Sequence, residues 1–504
     1  MTPFAWGIVA VLAVALAARF IGLGSKPFWL DEAFTVIRSS RPVQGVIADS
    51  LQNRHLPSFF LIEHALIGLG SGPAILRAVP AIAGAATAPL AFAIAWKLGG
   101  RAAAWLAGLL LALAPLQVAF GQEARSYTLM MALILLALLG LTILAIRPGD
   151  GSVRFSAPNA PRGAWAAYGL GTLGALLVLG DAWPWLIAAN IAMVAGILPH
   201  ARSRRGFLRN WLIVHGLILL IALPFYAAIL AATHEQVLQS FLWIPPLSLA
   251  TGWMDVASLY GLRDATMVTM RLLPTPFAGI TFVLLALAGF GAWRLRRQPG
   301  PLIVLGVAFL GLPLTLALAS LVHPILLPRY LLWSAGPFFV LAGFGIELLP
   351  ERLWKPALAA AALCAVINLL PYYTSETKPR WDRAASMLAQ RFASGDLLLV
   401  SDGAASAMLD FDRQGVKPRH PAWPATQDPK QAAAALATGH RVFVIYGPAG
   451  QGQQPDRAHF FATAAKLGSM APGLAAGSEI TIREISPPAE GPAVAGPDDH
   501  QPRG

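Results

Sequence analysis

Two adjacent carboxylates, Asp31 and Glu32, stand in the segment Lys26-Pro-Phe-Trp-Leu-Asp-Glu-Ala-Phe-Thr35, just past the first long apolar run. An acid at the edge of a low-dielectric region is costly unless it is paired or has a task. Such a group can take the proton of an attacking hydroxyl. The plainer alternative is that Asp31 caps the following helix and Glu32 favours its first turn. A second polar stretch, Phe120-Gly-Gln-Glu-Ala-Arg-Ser-Tyr127, brings Glu123, Arg125 and Tyr127 to the end of the third apolar run, on the same level as Asp31. The fork of donors on an arginine suits two-point contact with a phosphate, although an ion pair with Glu123 or simple snorkelling would also account for it. His323-Pro-Ile-Leu-Leu-Pro-Arg-Tyr330 places Arg329 and Tyr330 at the start of a later run, and Asn53-Arg-His-Leu-Pro-Ser-Phe-Phe60 places His55 ahead of a helix that starts with proline. No spacing of His, Cys, Asp and Glu resembles a metal cage, and no glycine-rich phosphate loop occurs. Neither a metal nor a nucleotide cofactor is expected, with a divalent ion left open.

The elements that must hold these groups are set by composition. The chain has 504 residues, 56% hydrophobic and 12% charged, with mean hydropathy +0.60. Soluble domains carry about 25% charged residues, so a soluble globular enzyme is excluded. Apolar runs begin near residues 4, 74, 102, 127, 164, 183, 211, 275, 301, 330 and 356. Each is roughly 18 to 24 residues long, which predicts an all-α polytopic membrane domain of about eleven spans. The run from Leu56 to Gly70, interrupted by Glu63 and His64, is too short and too polar to cross. Cys364 is the sole cysteine and lies in an apolar run, so no disulfide framework exists. The formal net charge of +12 is spread over short loops, which reads as topology and not as a nucleic-acid face.

Basic residues accumulate in short cytoplasmic loops. A cytoplasmic N-terminus puts Lys97 and Arg101, Arg147, Arg154 and Arg162, the group Arg202 to Arg209, Arg294 to Arg297, and Arg352 with Lys355 on that side. The first span is read as a retained anchor and not a cleaved signal. Residues 24–73, 233–273 and everything after Tyr373 then face outward, with Val43, Val46, Ile47 and Leu51 marking an amphipathic helix that lies on the bilayer. The composition divides the chain into a membrane domain (1–373), a small C-terminal α/β domain (374–486) and a disordered Pro/Gly/Asp-rich tail (487–504). In the α/β domain 381–393 and 458–467 read as helices, and 396–401 and 441–446 as buried strands.

Several acidic and cationic groups thus converge on one outer level, while the cores of the spans are nearly free of ionisable residues. An ion-coupled transporter would place such groups near the midplane and show a repeated half. Trp29-Leu-Asp-Glu32, His55-Leu-Pro-Ser-Phe-Phe60, Gln122-Glu-Ala-Arg-Ser-Tyr127, Phe241-Leu-Trp-Ile-Pro-Pro246 and Pro328-Arg-Tyr330, in this order, resemble the GT-C class of membrane glycosyltransferases. The likeness is to the branch with protein O-mannosyltransferases, aminoarabinose transferases and lipopolysaccharide-core sugar transferases. It implies transfer of a sugar from a polyprenyl-phosphate carrier to a lipid, glycan or protein acceptor at the periplasmic face of a bacterial inner membrane. In that reading Asp31 is the general base, Glu32 orients the acceptor or the base, and Arg125 binds the carrier phosphate. Glu123, Tyr127, Arg329, Tyr330 and His55 join the substrate-binding set. Ser58 and Phe60 depart from the usual His-Pro-Pro-Leu-Tyr pattern of that segment. The alternatives are a flippase of lipid-linked saccharide and a non-catalytic scaffold; the sugar itself is not legible.

Overall fold

The computed structural model describes residues 1–146, 160–201, 203–232, 244–266, 271–414, 422–448 and 456–487. The chain separates into two compact units, Met1–Lys378 and Pro379–Gly504.

The first unit is a bundle of apolar helices. Among the described residues eight are long and apolar enough to cross a membrane: Pro3–Phe20, Pro73–Lys97, Tyr127–Ala145, Gly180–His200, Arg204–Ala232, Pro299–Ser320, Pro328–Ile346 and Glu351–Thr374. A ninth is the pair Arg101–Leu113 and Pro115–Gly121, bent by 55°. The other two runs expected to span are also helical, as Ala160–Val178 and the shorter Ile280–Leu295. The break at Ala114 has a definite cause. Pro115 has no N–H to return to the carbonyl of Leu111, and proline in a helix frees that acceptor. Arg19, fully buried at the end of the first helix, fills it: its Nη2 donates to the Leu111 carbonyl at 3.3 Å and its Nη1 to that of Ala112 at 2.9 Å. Most donors of a charge that would be prohibitive in the apolar interior are thereby met, Nε lacking a partner, and the Gln122 amide, donating to the Arg19 carbonyl at 2.9 Å, fixes the turn after Gly121 against the first helix.

Between the first two spans lie three short helices, Leu30–Ser39, Val43–Gln52 and Pro57–Ile67. Asp49 clamps two of them, receiving Arg38 at 2.6 Å and Arg41 at 2.7 Å. Val46 packs with Phe59 and Phe60 beneath them, while Val43 and Ile47 are exposed, in keeping with the amphipathic pattern. Of the region 233–273, the helix Leu249–Tyr260 and a two-stranded antiparallel ribbon are described; residues 241–243 of the Phe241–Pro246 motif lie outside the described residues.

The second unit carries a five-stranded sheet in the spatial order Ala425–Thr426, Leu397–Val400, Val442–Tyr446, Ile480–Ile485, Leu474–Ala476. The first three strands run parallel to one another, and Ile480–Ile485 runs antiparallel between Val442–Tyr446 and Leu474–Ala476. Helices Trp381–Ala389, Gly403–Arg413, Pro429–Ala437 and Arg457–Ala465 complete it, over a core of Leu399, Leu436, Val442, Val444 and Ile485. Sequence periodicity found two interior strands, Leu397–Val400 and Val442–Tyr446, and two of the helices; it missed the six-residue Ile480–Ile485 as well as the edge strands, which at two and three residues are too short to show a period. The tail expected to be disordered begins at 487 and, from 488 on, lies outside the described residues.

Close helix packing in the bundle relies on glycine. A Cβ on Gly291 would meet the Leu341 carbonyl oxygen at 1.8 Å, and one on Gly345 the Leu287 carbonyl at 2.1 Å, so helices Ile280–Leu295 and Ala335–Ile346 touch backbone to backbone. Small residues at such crossings are the usual device of membrane helices. Gly291→Ala should therefore lower the thermal midpoint in detergent, at a cost of about 1–3 kcal/mol for overpacking. Gly289→Ala, with nothing within 4 Å of its added carbon, should be neutral or stabilising in the same melt.

Candidate active site

The site is assembled at the end of the bundle where the three short helices lie. Its foundation is Glu32. This side chain has no exposed surface, and both oxygens are taken up. Arg77 grips it with two parallel bonds, Nε to Oε1 at 2.7 Å and Nη2 to Oε2 at 2.9 Å. The Lys378 ammonium donates to Oε2 at 2.7 Å, and the backbone N–H of Ala124 donates to Oε1 at 2.9 Å. Burial alone would raise the Glu32 carboxyl; the charges and hydrogen bonds of Arg77 and Lys378 outweigh it and hold the group well below the usual carboxylate range. Arg77 spends its remaining donors on the carbonyls of Leu23, Lys26 and Pro27. One ion cluster therefore joins the first loop, the second span, the turn at Gln122–Ser126 and the segment after the last span.

Gln122 adds a second tie. Its amide donates to the carbonyls of Arg19 and Ile21 at 2.9 and 2.8 Å, and its Oε1 accepts from the Tyr372 hydroxyl at 3.0 Å. Glu123 is also buried, with Oε2 lacking a partner. Burial raises its carboxyl above the ordinary range, against the opposing pull of the Lys378 charge.

With Glu32 directed inward, Asp31 is turned the other way and remains partly open, its side chain 22% exposed. Its carboxylate receives Nη1 of Arg329 at 3.1 Å, while Nη1 of Arg125 lies 3.4 Å from its carbonyl oxygen and 3.5 Å from the hydroxyl of Thr35. The two guanidiniums flank the Tyr127 ring, at 5.7 Å for Arg125 and 6.0 Å for Arg329, and Tyr330 lies 5.3 Å from the latter. Asp31, Arg125, Tyr127, Arg329 and Tyr330 are thus brought together around one partly open carboxylate. His55 sits at the edge of this group, its ring 5.7 Å from that of Phe60, behind Arg54 in a left-handed turn (φ 61°). Burial first, and then the charges of Arg125 and Arg38, push its imidazole down to about 3, so it is neutral. His64, one helix away, bonds the Ser39 carbonyl at 2.8 Å, a structural role.

The structure revises one expected role. Glu32, expected to orient the acceptor or the base, is sealed from any substrate and instead fixes the loop that carries Asp31. Its partners Arg77 and Lys378 were absent from the sequence-derived set. Arg77, like Arg19, is a charge inside an otherwise apolar run, which is the signal that marks it; Lys378 offers no local signal, since its partner is 346 positions away. Among the described residues no group of three or more His, Cys, Asp or Glu side chains is gathered as a metal site.

No family model and no curated protein sequence matches the chain. Solved structures do match in shape. ArnT from Cupriavidus metallidurans in the apo state aligns over 95% of this chain and 98% of its own, at TM-score 0.58 and 14% identity. The chain has the GT-C fold. The same ArnT bound to undecaprenyl phosphate aligns at TM-score 0.55 and 15% identity, over 96% of this chain and 98% of that one. The oligosaccharyltransferase of Archaeoglobus fulgidus aligns at 0.53 and 11% identity, over 88% of this chain and 69% of its own. The arabinofuranosyltransferase AftD from mycobacteria aligns at 0.52 and 16% identity over 96% of this chain, which spans 40% of that protein. The GT-C arrangement agrees with the resemblance carried by the sequence motifs.

Two outcomes follow from these contacts. Arg77→Met strands the Glu32 carboxylate and three loop carbonyls, and should destabilise the membrane unit by about 3–5 kcal/mol, the usual cost of breaking a buried ion pair; Arg77→Lys should recover part of that loss in the same thermal melt. For His55 the folded state refuses a proton that the unfolded chain accepts below its ordinary value of about 6.5. Its contribution is therefore complete above that pH and lost as pH falls toward 3, by at most about 1.4 kcal/mol per pH unit. The melting curve of His55→Gln should run parallel to wild type above pH 7 and fall less steeply between pH 6.5 and 4.

Proposed function

We propose that the protein transfers a glycosyl group from a polyprenyl-phosphate-linked sugar to a hydroxyl of a lipid, lipopolysaccharide or protein acceptor at the periplasmic face of the inner membrane. The observation that carries this reading is the cluster in which Asp31, its carboxylate partly open, meets the Arg329 guanidinium through that carboxylate and the Arg125 guanidinium through its backbone carbonyl, at the end of an apolar helical bundle. Support comes also from the GT-C fold, since the structures it matches include ArnT bound to undecaprenyl phosphate and the archaeal oligosaccharyltransferase with a dolichol-phosphate.

In this mechanism the acceptor hydroxyl attacks the anomeric carbon while Asp31 takes its proton. The bond from that carbon to the phosphate oxygen breaks, and its electron pair leaves with the lipid phosphate. Arg125 and Arg329 neutralise the charge that develops there, in a site where burial makes fixed donors effective. Since Arg329 is bonded to Asp31, an incoming phosphate must compete for that guanidinium, and binding the donor loosens the hold on the base. Tyr127 and Tyr330 hold the two guanidiniums at their spacing, and neutral His55 borders the cluster without adding charge. A single displacement of this kind inverts the anomeric configuration. The bilayer delivers the donor by lateral diffusion, so a site at the ends of the spans meets a lipid headgroup directly.

The test is activity in proteoliposomes supplied with polyprenyl-phosphate sugar. Asp31→Asn should lower turnover about 10²- to 10⁴-fold, the worth of a positioned general base, and Arg125→Ala or Arg329→Ala about 10²- to 10³-fold. Turnover of Asp31→Asn within tenfold of wild type would remove Asp31 from the role. Movement of the lipid between leaflets with its sugar bond intact would favour a flippase instead.

A further inference from the structure

The end of the bundle away from the candidate active site carries a groove of its own. The helix Arg101–Leu113 leads through Pro115–Gly121 to Gln122, and the helix Glu351–Thr374 leads to Tyr372, whose hydroxyl bonds that same Gln122. Both helices therefore start at the opposite end. Near those starts they leave a cavity of about 330 Å³ between them, with Trp105 and Leu109 on one wall and Trp354, Lys355, Leu358 and Ala359 on the other. Side chains three and four positions apart share one face of a helix. Arg101, Trp105 and Leu109 thus form one stripe and Lys355, Leu358 and Ala359 another, each beginning in a cation.

Aromatic rings tie Arg101 to the groove. Its guanidinium lies 6.0 Å from the Trp96 ring, Trp96 stacks on Phe92 at 5.5 Å, and Phe92 meets Trp105 edge-on at 5.5 Å. The Lys355 ammonium lies 5.8 Å from the Trp354 ring. Both cations are exposed, and among the described residues neither forms an ion pair. Of the neighbouring acids, Glu347 is committed to the Ala103 N–H at 3.3 Å, and Glu351 stays exposed in the first turn of its helix. Tryptophans and basic residues at the ends of spans mark the polar boundary of a bilayer. An apolar groove with cations at its mouth therefore suits a lipid at two points, its chain in the groove and its phosphate at the rim. We propose that the groove is a binding site for an anionic phospholipid, with an acyl chain between Trp105 and Leu358 and the headgroup phosphate met by Lys355 and Arg101. A zwitterionic headgroup carries its own cation and gains less from theirs. The site stands apart from the transfer chemistry and does not rest on it.

Full-length protein in detergent, titrated with phosphatidylglycerol and with phosphatidylcholine of the same acyl chains and read by native mass spectrometry, tests the assignment. Wild type should bind phosphatidylglycerol about tenfold more tightly, as two basic residues beside an anionic headgroup provide. Lys355→Gln should lower that affinity about fivefold and Lys355→Gln with Arg101→Gln about 10- to 30-fold, while phosphatidylcholine stays within about threefold. Lys355→Arg, which keeps the charge, should stay within about twofold of wild type for both lipids. Ala359→Phe, which fills the groove and leaves the cations in place, should weaken both lipids by about tenfold. Arg296→Gln removes an exposed arginine from the same end of the bundle and should change neither lipid. Equal affinity of wild type for the two lipids, a loss with Arg296→Gln as large as with Lys355→Gln, or unchanged binding in Ala359→Phe would each overturn the site.

Discussion

A buried carboxylate held by two cations is the constraint on which the site depends. Glu32 is out of contact with water, and it is tolerable there only because Arg77, Lys378 and the N–H of Ala124 meet both of its oxygens. Glu32 and those partners come from four separate stretches of chain, so the network forms only when the first loop, the second span, the Gln122–Ser126 turn and the segment beyond the last span are all in register. Arg19 does comparable service a little deeper, where its guanidinium fills the carbonyls exposed by the proline break and so places the turn that carries Arg125.

The adjacency of Asp31 and Glu32 gains its meaning from this network. Neighbouring residues at the start of a helix diverge in direction, and one of the pair is driven into the ion cluster while the other is left partly exposed. The same sequence element thus supplies an anchor and a partly exposed carboxylate. The fixed charges around Asp31 are positioned by packing and not by the substrate, which is the condition for electrostatic stabilisation without reorganisation. Under the proposed function, the base is paired with Arg329, and the donor phosphate is what relaxes that pairing.

Much of this was legible in the sequence because it is local. The apolar runs fix the spans, and the short motifs around Asp31, Arg125 and Arg329 announce a polar layer at one end of them. Three kinds of feature were not. Glu32 cannot be told from Asp31 by its neighbours, since both follow the same aromatic residues; only the distant guanidinium and ammonium decide which is buried. Lys378 reads as part of a polar linker until the fold folds it back onto residue 32. Edge strands such as Ala425–Thr426 are set by pairing with a central strand, a tertiary cause that leaves no period in so short a segment.

The central claim is a single displacement at the anomeric carbon, with Asp31 taking the acceptor proton and no sugar ever bound covalently to the protein. Nuclear magnetic resonance of the isolated product, made from a donor of known anomeric configuration, reads this directly. The account predicts that the configuration is inverted. A product with retained configuration would contradict it, for retention requires a second displacement and a nucleophile on the protein.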